Sequence, residues 1–168
     1  GGRPGFASIL ERIAGAWHRD RQRIRESGAT ALDQLRDYTQ AARRAGSLDE
    51  AVLDAGFQLF RKNFDSAHGG FETAPKFPRP VTMNFLLGYW RRTRNRQALD
   101  MVLATLRGMA RGGIRDHLGG GFHRYSVDER WFVPHFEKML YDQAQLASAY
   151  LDGFRVSGDA DLAEVARG

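Results

Sequence analysis

The chain has 168 residues, of which 42% are hydrophobic and 27% are charged, a composition typical of a soluble globular protein with a real core. No apolar stretch approaches the roughly 18 residues that a membrane-spanning helix needs, which argues against a membrane partner. The absence of cysteine excludes a disulfide, a thiol nucleophile and a cysteine-bound metal, and it is consistent with a reducing, cytoplasmic location.

The net charge of +5 reflects an excess of arginine early in the chain. These arginines are Arg19, Arg21, Arg23, Arg25, Arg43 and Arg44. Acidic residues are interleaved with them, and neither a zinc-finger spacing nor an aromatic RNA-stacking pattern accompanies them. We therefore interpret this segment as a solvated helix face and expect no nucleic-acid partner.

Hydrophobic spacing predicts a first helix that opens at Pro4 and Gly5. Its apolar residues are Phe6, Ile9, Leu10, Ile13 and Trp17. The segment that follows is almost entirely charged and contains Gly28, so it is either two helices or one long helix bent at that glycine. Its weak amphipathic character is typical of a connector between packed bodies.

A capping box at Ser47-Leu48-Asp49-Glu50 predicts the start of another helix, and a loop rich in Gly and Pro is expected over residues 65–80. Apolar spacing predicts later helices over residues 82–93, 96–111 and 136–154, and from 159 onward. Residues 122–133 predict a short β-hairpin-like segment that turns at Asp128-Glu129-Arg130. The expected fold class is therefore all-α with this single extended segment.

Two segments of the chain echo each other. His68-Gly69-Gly70-Phe71 precedes one predicted helix, and Gly120-Gly121-Phe122-His123 precedes another. Each interval contains two helices and a Gly-Gly-Phe loop, with a period of about 50 residues, which is typical of stacked helical hairpins. The pattern favours an αα-repeat toroid or solenoid.

Residues 119–142 are the most informative part of the chain because they combine two His, four carboxylates, two Tyr, a Trp and three Phe. A core segment does not mix ionisable and aromatic groups so densely. A pocket for a polar, ring-shaped ligand does, since ring faces stack on aromatic side chains while carboxylates and imidazoles bind hydroxyl groups.

The chain is predicted to enter its last long helix at His135, where free backbone N–H groups disfavour a protonated imidazole. His135 is then either a neutral general base or a structural residue that caps the helix. Glu137 is expected in the first helical turn on the same face as Tyr141, as a general acid or a hydroxyl-binding group. Lys138 and Asp142, four residues apart, are interpreted as a structural salt bridge.

Carbohydrate chemistry leaves two catalytic pairings open. A glycosidase needs two carboxylates across a cleft, for which Glu137 and Asp128 are the candidates. An epimerase needs an acid and a base on opposite faces of a carbon atom, for which His123 and His135 are the candidates. The candidate substrate-binding residues are Phe71, Lys76, Arg124, Tyr125, Trp131 and Tyr141.

The sequence predicts neither a metal site nor a bound cofactor. His117, His123 and His135 lack the four-residue helical spacing of a zinc site. The glycines at 119–121 do not follow a strand in a βαβ pattern, so close packing of the loop backbone explains them better than phosphate binding.

Three stretches of the chain carry a resemblance to a known family. They are the run from Arg3-Pro4-Gly5-Phe6 to Trp17, the loop containing Gly69-Gly70-Phe71 and Ala74-Pro75-Lys76-Phe77-Pro78, and the run from Gly119 to Asp142. The most specific motif is Pro134-His135-Phe136-Glu137-Lys138-Met139-Leu140-Tyr141-Asp142. The chain resembles the thioredoxin-domain-containing proteins of the spermatogenesis-associated type, whose bacterial members are called YyaL-type.

The resemblance implies a thioredoxin-like domain followed by a helical domain like the six-hairpin glycosidases and the N-acylglucosamine 2-epimerases. Residues 1–28 would then be the last helix of the thioredoxin-like domain with a connector, and residues 29–168 the first hairpins of an (α/α) barrel. The chain is accordingly expected to be a fragment of a longer protein, and the missing thioredoxin-like domain is an expected partner.

The family likeness implies that the helical domain binds or acts on a carbohydrate or another polar small molecule, with glycosidase-like or epimerase-like chemistry. The alternative is a non-catalytic helical scaffold that recognises a protein client for the thioredoxin-like domain. Two positions depart from the expected motif, since Glu72 stands where glycine is expected and Gln143 where asparagine is expected.

Overall fold

The computed structural model describes residues 4–43 and 49–168, and each of these two ranges forms a compact unit of its own. The first unit contains helices α1 (Phe6–Arg19) and α2 (Arg21–Arg43). Ser47 of the predicted capping box lies outside the described residues. The cap of the next helix is instead seen at Asp49, whose side chain accepts a hydrogen bond from the Ala51 N–H at 3.0 Å.

The break between the first two helices falls at Asp20, and α2 continues through Gly28. A glycine inside a helix costs only about 1 kcal/mol, which the neighbouring turns of a long helix tolerate. The boundary expected at residue 28 therefore lies within α2, while the assignment of residues 1–28 to a thioredoxin-like domain stays a prediction. The apolar side chains of α1 are not buried.

The second unit consists of helices joined by two short and two long connections. The helices are α3 (Glu50–Lys62), α4 (Pro80–Thr93), α5 (Arg96–Arg111), α6 (Leu140–Ser157) and α7 (Ala160–Arg167). The predicted helices at 82–93, 96–111 and after 159 are confirmed. Within the described ranges no helix is long and apolar enough to cross a membrane.

Helix α5 is the centre of the second unit, because its neighbours α3, α4, α6 and α7 all pack on it. Its buried residues are Ala98, Leu99, Met101, Val102, Leu103, Thr105, Leu106 and Met109. Asn95 caps its start by accepting hydrogen bonds from the N–H groups of Gln97 and Ala98. From α6, the buried Tyr150 hydroxyl donates to the Leu106 carbonyl at 2.7 Å, and burial raises the pKa of Tyr150.

The two long connections, residues 63–79 and 112–139, meet through isolated antiparallel pairings. Ser126 pairs with Lys76 on one side and with Pro134 on the other. The Val127 N–H donates to the Val133 carbonyl at 2.8 Å, as the predicted hairpin requires. No sheet forms in the part of the chain that the structure describes, so the all-α fold class is confirmed.

Helix α6 begins later than predicted, at Leu140 instead of residue 136. His135 belongs to the hairpin pairing, where its N–H donates to the Tyr125 carbonyl at 2.9 Å, and residues 135–139 are not helical. The predictions that His135 lies at a helix N-terminus and that Glu137 lies in a first helical turn are therefore wrong. The predicted Lys138–Asp142 bridge is also wrong, since each residue pairs with a partner from another part of the loop.

Candidate functional site

The first Gly-Gly-Phe segment is the end of a closed loop built on Asp65. One carboxylate oxygen of Asp65 accepts hydrogen bonds from the N–H groups of Ala67 and His68 at 2.9 and 3.1 Å. The Asp65 backbone N–H donates to the Gly70 carbonyl, and the Asp65 carbonyl accepts from the Gly69 N–H, each at 2.9 Å. The loop closes through two residues with φ of +73° and +93°, which glycine adopts without strain.

The second Gly-Gly-Phe segment has the same construction on Asp116. One carboxylate oxygen accepts from the N–H groups of Leu118 and Gly119 at 3.0 and 2.8 Å. The Asp116 N–H donates to the Gly121 carbonyl at 2.9 Å, and the Asp116 carbonyl accepts from the Gly120 N–H at 3.0 Å. The sequence echo is therefore a structural repeat, a helix followed by an aspartate loop.

A lysine completes each loop by binding the second carboxylate oxygen. Lys76 donates to Asp65 at 2.5 Å, and Lys138 donates to Asp116 at 2.6 Å. Burial opposes ionisation of Asp65, but Lys76 and the loop N–H groups outweigh it and hold the pKa of Asp65 below its usual value. The Gly119 N–H and Lys138 lower the pKa of Asp116 strongly. Both aspartates are ionised structural anchors at neutral pH.

Three of the predicted substrate-binding residues are buried among protein groups. Lys76 and Trp131 are fully enclosed, and Phe71 is 6% exposed. The Trp131 indole N–H donates to the His68 carbonyl at 3.0 Å, so it links the two long loops. Lys76 also donates to the Glu129 carbonyl at 2.7 Å. These side chains stabilise the loops, and among the three only Phe71 borders the groove described below.

Asp128, a predicted catalytic carboxylate, organises the hairpin turn. Its oxygens accept hydrogen bonds from the N–H groups of Arg130, Phe132 and Val133. Burial favours its neutral form, but these donors together outweigh that effect and lower the pKa of Asp128. An ionised carboxylate occupied in this way is a poor general acid near neutral pH.

Five of the predicted site residues come together with Phe77, and we call this set the aromatic surface. Its members are Phe77, Arg124, Tyr125, His135, Glu137 and Tyr141. The Phe77 and Tyr125 ring centroids are 4.9 Å apart, and the His135 ring stacks on Tyr125 at a centroid distance of 4.6 Å. Glu137 approaches His135, with its carboxylate 3.8 Å from Nδ1.

Arg124 is held in place within the aromatic surface by two rings and a carboxylate. Its guanidinium lies 5.1 Å from the Phe77 ring centroid and 5.4 Å from that of Tyr141. The same group binds Asp142, a buried residue of α6, at 3.1 Å. The side chains of His135 and Glu137 are nearly half exposed, so a ligand can reach them.

His123, another predicted catalytic residue, is buried apart from this stack. Its ring meets the edge of Phe136 at a centroid distance of 5.1 Å, and its Nδ1 has no hydrogen-bond partner in the described structure. Burial and the Lys138 ammonium lower the pKa of His123, so the imidazole is neutral. The two histidines of the predicted catalytic pair contact different rings, His123 that of Phe136 and His135 that of Tyr125.

An open groove of about 970 Å³ starts at Phe77 and continues the aromatic surface. Its walls include His68, Phe71, Glu72, Phe77, Arg79 and Glu129. Glu72, which departs from the expected motif, forms an ion pair with Arg79 on this wall. The other departure, Gln143, binds both the N–H and the carbonyl of Phe122 at 2.7 Å, so it fixes the second Gly-Gly-Phe loop.

Four residues have structural roles that the sequence motifs did not predict. Asp65 and Asp116 stand at the same distance before their Gly-Gly-Phe segments, and this shared offset was a signal that could have identified both. The other two are Phe77, which packs against Tyr125, and Asp142, which binds Arg124. In the described ranges no three His, Asp or Glu side chains come together as metal ligands would.

The fold and site define a helical protein whose interhelical loops carry a polar, aromatic surface. The chain is 45% identical over 173 residues to human spermatogenesis-associated protein 20, an alignment that covers 99% of this chain and 22% of that protein. The rat protein of the same name is 43% identical, and that alignment also covers 99% of this chain and 22% of the rat protein. An uncharacterised Caenorhabditis elegans protein, B0495.5, is 39% identical over 88% of this chain and 21% of its own length.

The chain thus spans about a fifth of the length of these curated relatives. No protein family model matches it. It is homologous over nearly its whole length to a segment of spermatogenesis-associated protein 20, which supports the family indicated by the sequence motifs.

Proposed function

We propose that the aromatic surface and the adjoining groove bind a carbohydrate or a similar polar, ring-shaped ligand. The observation that carries this proposal is the stack of Phe77, Tyr125 and His135 beside the exposed carboxylate of Glu137. The C–H face of a sugar packs against aromatic rings, while its hydroxyl groups bind carboxylate and phenol oxygens. The Tyr125 and Tyr141 hydroxyls add donors and acceptors at the same place.

The surface is held in position before any ligand arrives, which supports a binding role. Asp142 fixes Arg124, and the hairpin hydrogen bond between the His135 N–H and the Tyr125 carbonyl fixes the stacked rings. A ligand that meets this surface therefore orders few additional side chains.

If the surface is catalytic, we propose acid–base chemistry in which His135 transfers the proton and Glu137 orients the His135 imidazole. The Glu137 carboxylate lies 3.8 Å from His135 Nδ1, so it can orient the imidazole and stabilise a proton on it. The glycosidase alternative needs a second free carboxylate, and Asp128 has its oxygens engaged by three backbone N–H groups. The epimerase alternative needs a second acid–base group on the opposite face of the reacting carbon, and its candidate His123 is buried. The proposal therefore names His135 and Glu137 and leaves both reaction types open.

We also propose that the second unit is part of an (α/α) barrel that follows a thioredoxin-like domain in the complete protein. The repeated arrangement of a helix followed by an aspartate loop supports the barrel, since stacked hairpins place equivalent loops on one rim. The thioredoxin-like domain is proposed from the sequence motifs alone.

Isothermal titration calorimetry of the full-length protein with a panel of neutral and N-acylated monosaccharides tests the binding proposal. We expect at least one sugar to bind saturably and Tyr125→Ala to weaken that binding by up to about tenfold, the contribution of an aromatic contact. Tyr38→Ala removes an exposed tyrosine of the first unit and serves as the matched control. Binding that Tyr125→Ala leaves unchanged would contradict the proposed site.

A non-catalytic role in recognising a protein client is the second candidate. It is favoured by Phe136 and Leu140, which are 83% and 84% exposed beside the aromatic surface. The same titration separates the two candidates. The scaffold role is supported if no sugar binds and if Phe136→Ser weakens the binding of the full-length protein to a protein substrate of its thioredoxin-like domain.

A further inference from the structure

A second groove, of about 530 Å³, lies at the C-terminal end of α5. Its walls include Arg111, Gly112, Asp128, Arg130, Phe132 and Val133. None of these residues belongs to the aromatic surface, so this groove is a separate feature of the second unit.

The groove presents an apolar wall on a fixed backbone. Phe132 is 74% exposed and Val133 is 48% exposed. The backbone beneath them packs so closely that a Cβ atom on Gly112 would lie 2.5 Å from the Trp131 carbonyl oxygen. Trp131 has φ of +65°, a strained value for a large side chain, and it is held there because its ring is fully buried. The backbone that carries Phe132 is therefore closely packed.

Two guanidinium groups border this apolar wall, and neither has a carboxylate partner in the described structure. Arg111 ends α5, and Arg130 follows Asp128 in the turn. The carboxylate of Asp128 is occupied by the N–H groups of its own turn, and Asp159 is bound by Arg107 at 2.8 Å. Among the residues that line this groove, two arginines therefore stand against one carboxylate that is already engaged, while Arg111 also borders Asp161 and Glu164 on its other side.

We propose that this groove binds a small organic anion that carries an apolar group. A carboxylate or phosphate matches the planar donor arrangement of arginine and would be held by Arg111 and Arg130. The apolar part of the same molecule would pack on Phe132 and Val133, whose exposure is otherwise unfavourable. The two halves of the groove together select an amphipathic anion over a simple ion.

The probe for this site is phenyl phosphate, which has both an anionic and an apolar part. Inorganic phosphate, which has only the anionic part, and benzyl alcohol, which has only the apolar ring, are the two half-ligands. Backbone amide NMR of the complete chain reports the site through the Phe132 and Val133 resonances. We expect phenyl phosphate to bind more tightly than either half-ligand. We expect Arg130→Gln and Arg111→Gln each to weaken phenyl phosphate binding about three- to tenfold, the net contribution of a typical hydrogen bond in water.

Two comparisons make the test decisive. Phe132→Ala should weaken phenyl phosphate but leave inorganic phosphate unchanged, whereas the arginine substitutions should weaken both anions. Arg91→Gln removes an exposed arginine of α4 that lies outside this groove, and it should have no effect. The proposal is overturned if phenyl phosphate binds no more tightly than inorganic phosphate, or if Arg91→Gln weakens it as much as Arg130→Gln does. All these positions are exposed, so the variants should retain the fold, which a urea melt of each one verifies.

Discussion

The Lys76 ammonium donates to the Asp65 carboxylate at 2.5 Å although the Lys76 side chain is completely buried. The equivalent lysine of the second loop, Lys138, binds Asp116 at 2.6 Å while remaining 35% exposed. The same lysine–aspartate contact therefore occurs once inside the protein and once near solvent. This difference allows the cost of breaking each contact to be compared within one chain.

Lys76→Met should destabilise the second unit by about 3 kcal/mol, because it leaves the Asp65 carboxylate and the Glu129 carbonyl without their buried donor. Lys138→Met should cost clearly less, since water can replace an exposed ammonium. Urea unfolding followed by circular dichroism measures both. Equal losses for the two variants would show that burial does not decide the value of this contact.

Acid should weaken both aspartate loops. The pKa values of Asp65 and Asp116 lie below the ordinary 3.8 in the folded chain, so the unfolded chain takes up these protons first. Their stabilisation is complete above that value and is lost as pH falls through the folded-state pKa values. Asp116→Asn should therefore flatten the fall in the urea midpoint between about pH 5 and pH 2. A variant whose acid profile matches the wild type contradicts this assignment.

His123 should make stability depend on pH in a higher range. Its pKa is lowered below 6.5, so between that value and its folded-state pKa the unfolded chain binds more protons. Stability is full above 6.5 and falls as pH decreases through this window. His123→Phe should reduce the change in melting temperature between about pH 7.5 and pH 5.5. His117→Phe, at an exposed position, is the control and should keep the wild-type dependence.

Two glycines provide a matched pair for backbone packing. A Cβ atom on Gly113 would lie 2.2 Å from the Phe132 carbonyl oxygen, so Gly113→Ala must displace the hairpin turn and should destabilise the chain by about 1–3 kcal/mol. Gly88 lies inside α4 with no atom within 4 Å of its Cβ position, so Gly88→Ala should stabilise the chain by about 0.5–1 kcal/mol. Thermal melts of both variants check the two signs, and a stabilising Gly113→Ala would contradict the close packing.

The positions of most helices could be predicted because their signals are local. Helix α5 is the clearest case, since Asn95 caps its start, Gly112 follows its end and its apolar residues keep a helical period between them. Propensity, caps and periodicity act over a few residues, and a single sequence contains all of them. The Gly-Gly-Phe echo likewise predicted two related loops.

The start of α6 could not be predicted because distant partners decide it. The His135 N–H binds Tyr125, and the Lys138 ammonium binds Asp116 and the Gly120 carbonyl, so residues 135–139 stay out of the helix that their sequence favours. These contacts offset the local helical preference, and periodicity contains no information about them.

The sequence by itself determined the class of fold, the helix positions and which stretch is rich in chemistry. Only the tertiary structure decided how that chemistry divides between binding and support. It placed Phe77 against Tyr125, buried Lys76 and Trp131 as links between the loops, and engaged Asp128 with backbone N–H groups. The physical reason is that composition fixes which groups are present, whereas burial and the partners that folding supplies fix whether each group meets solvent or another part of the chain.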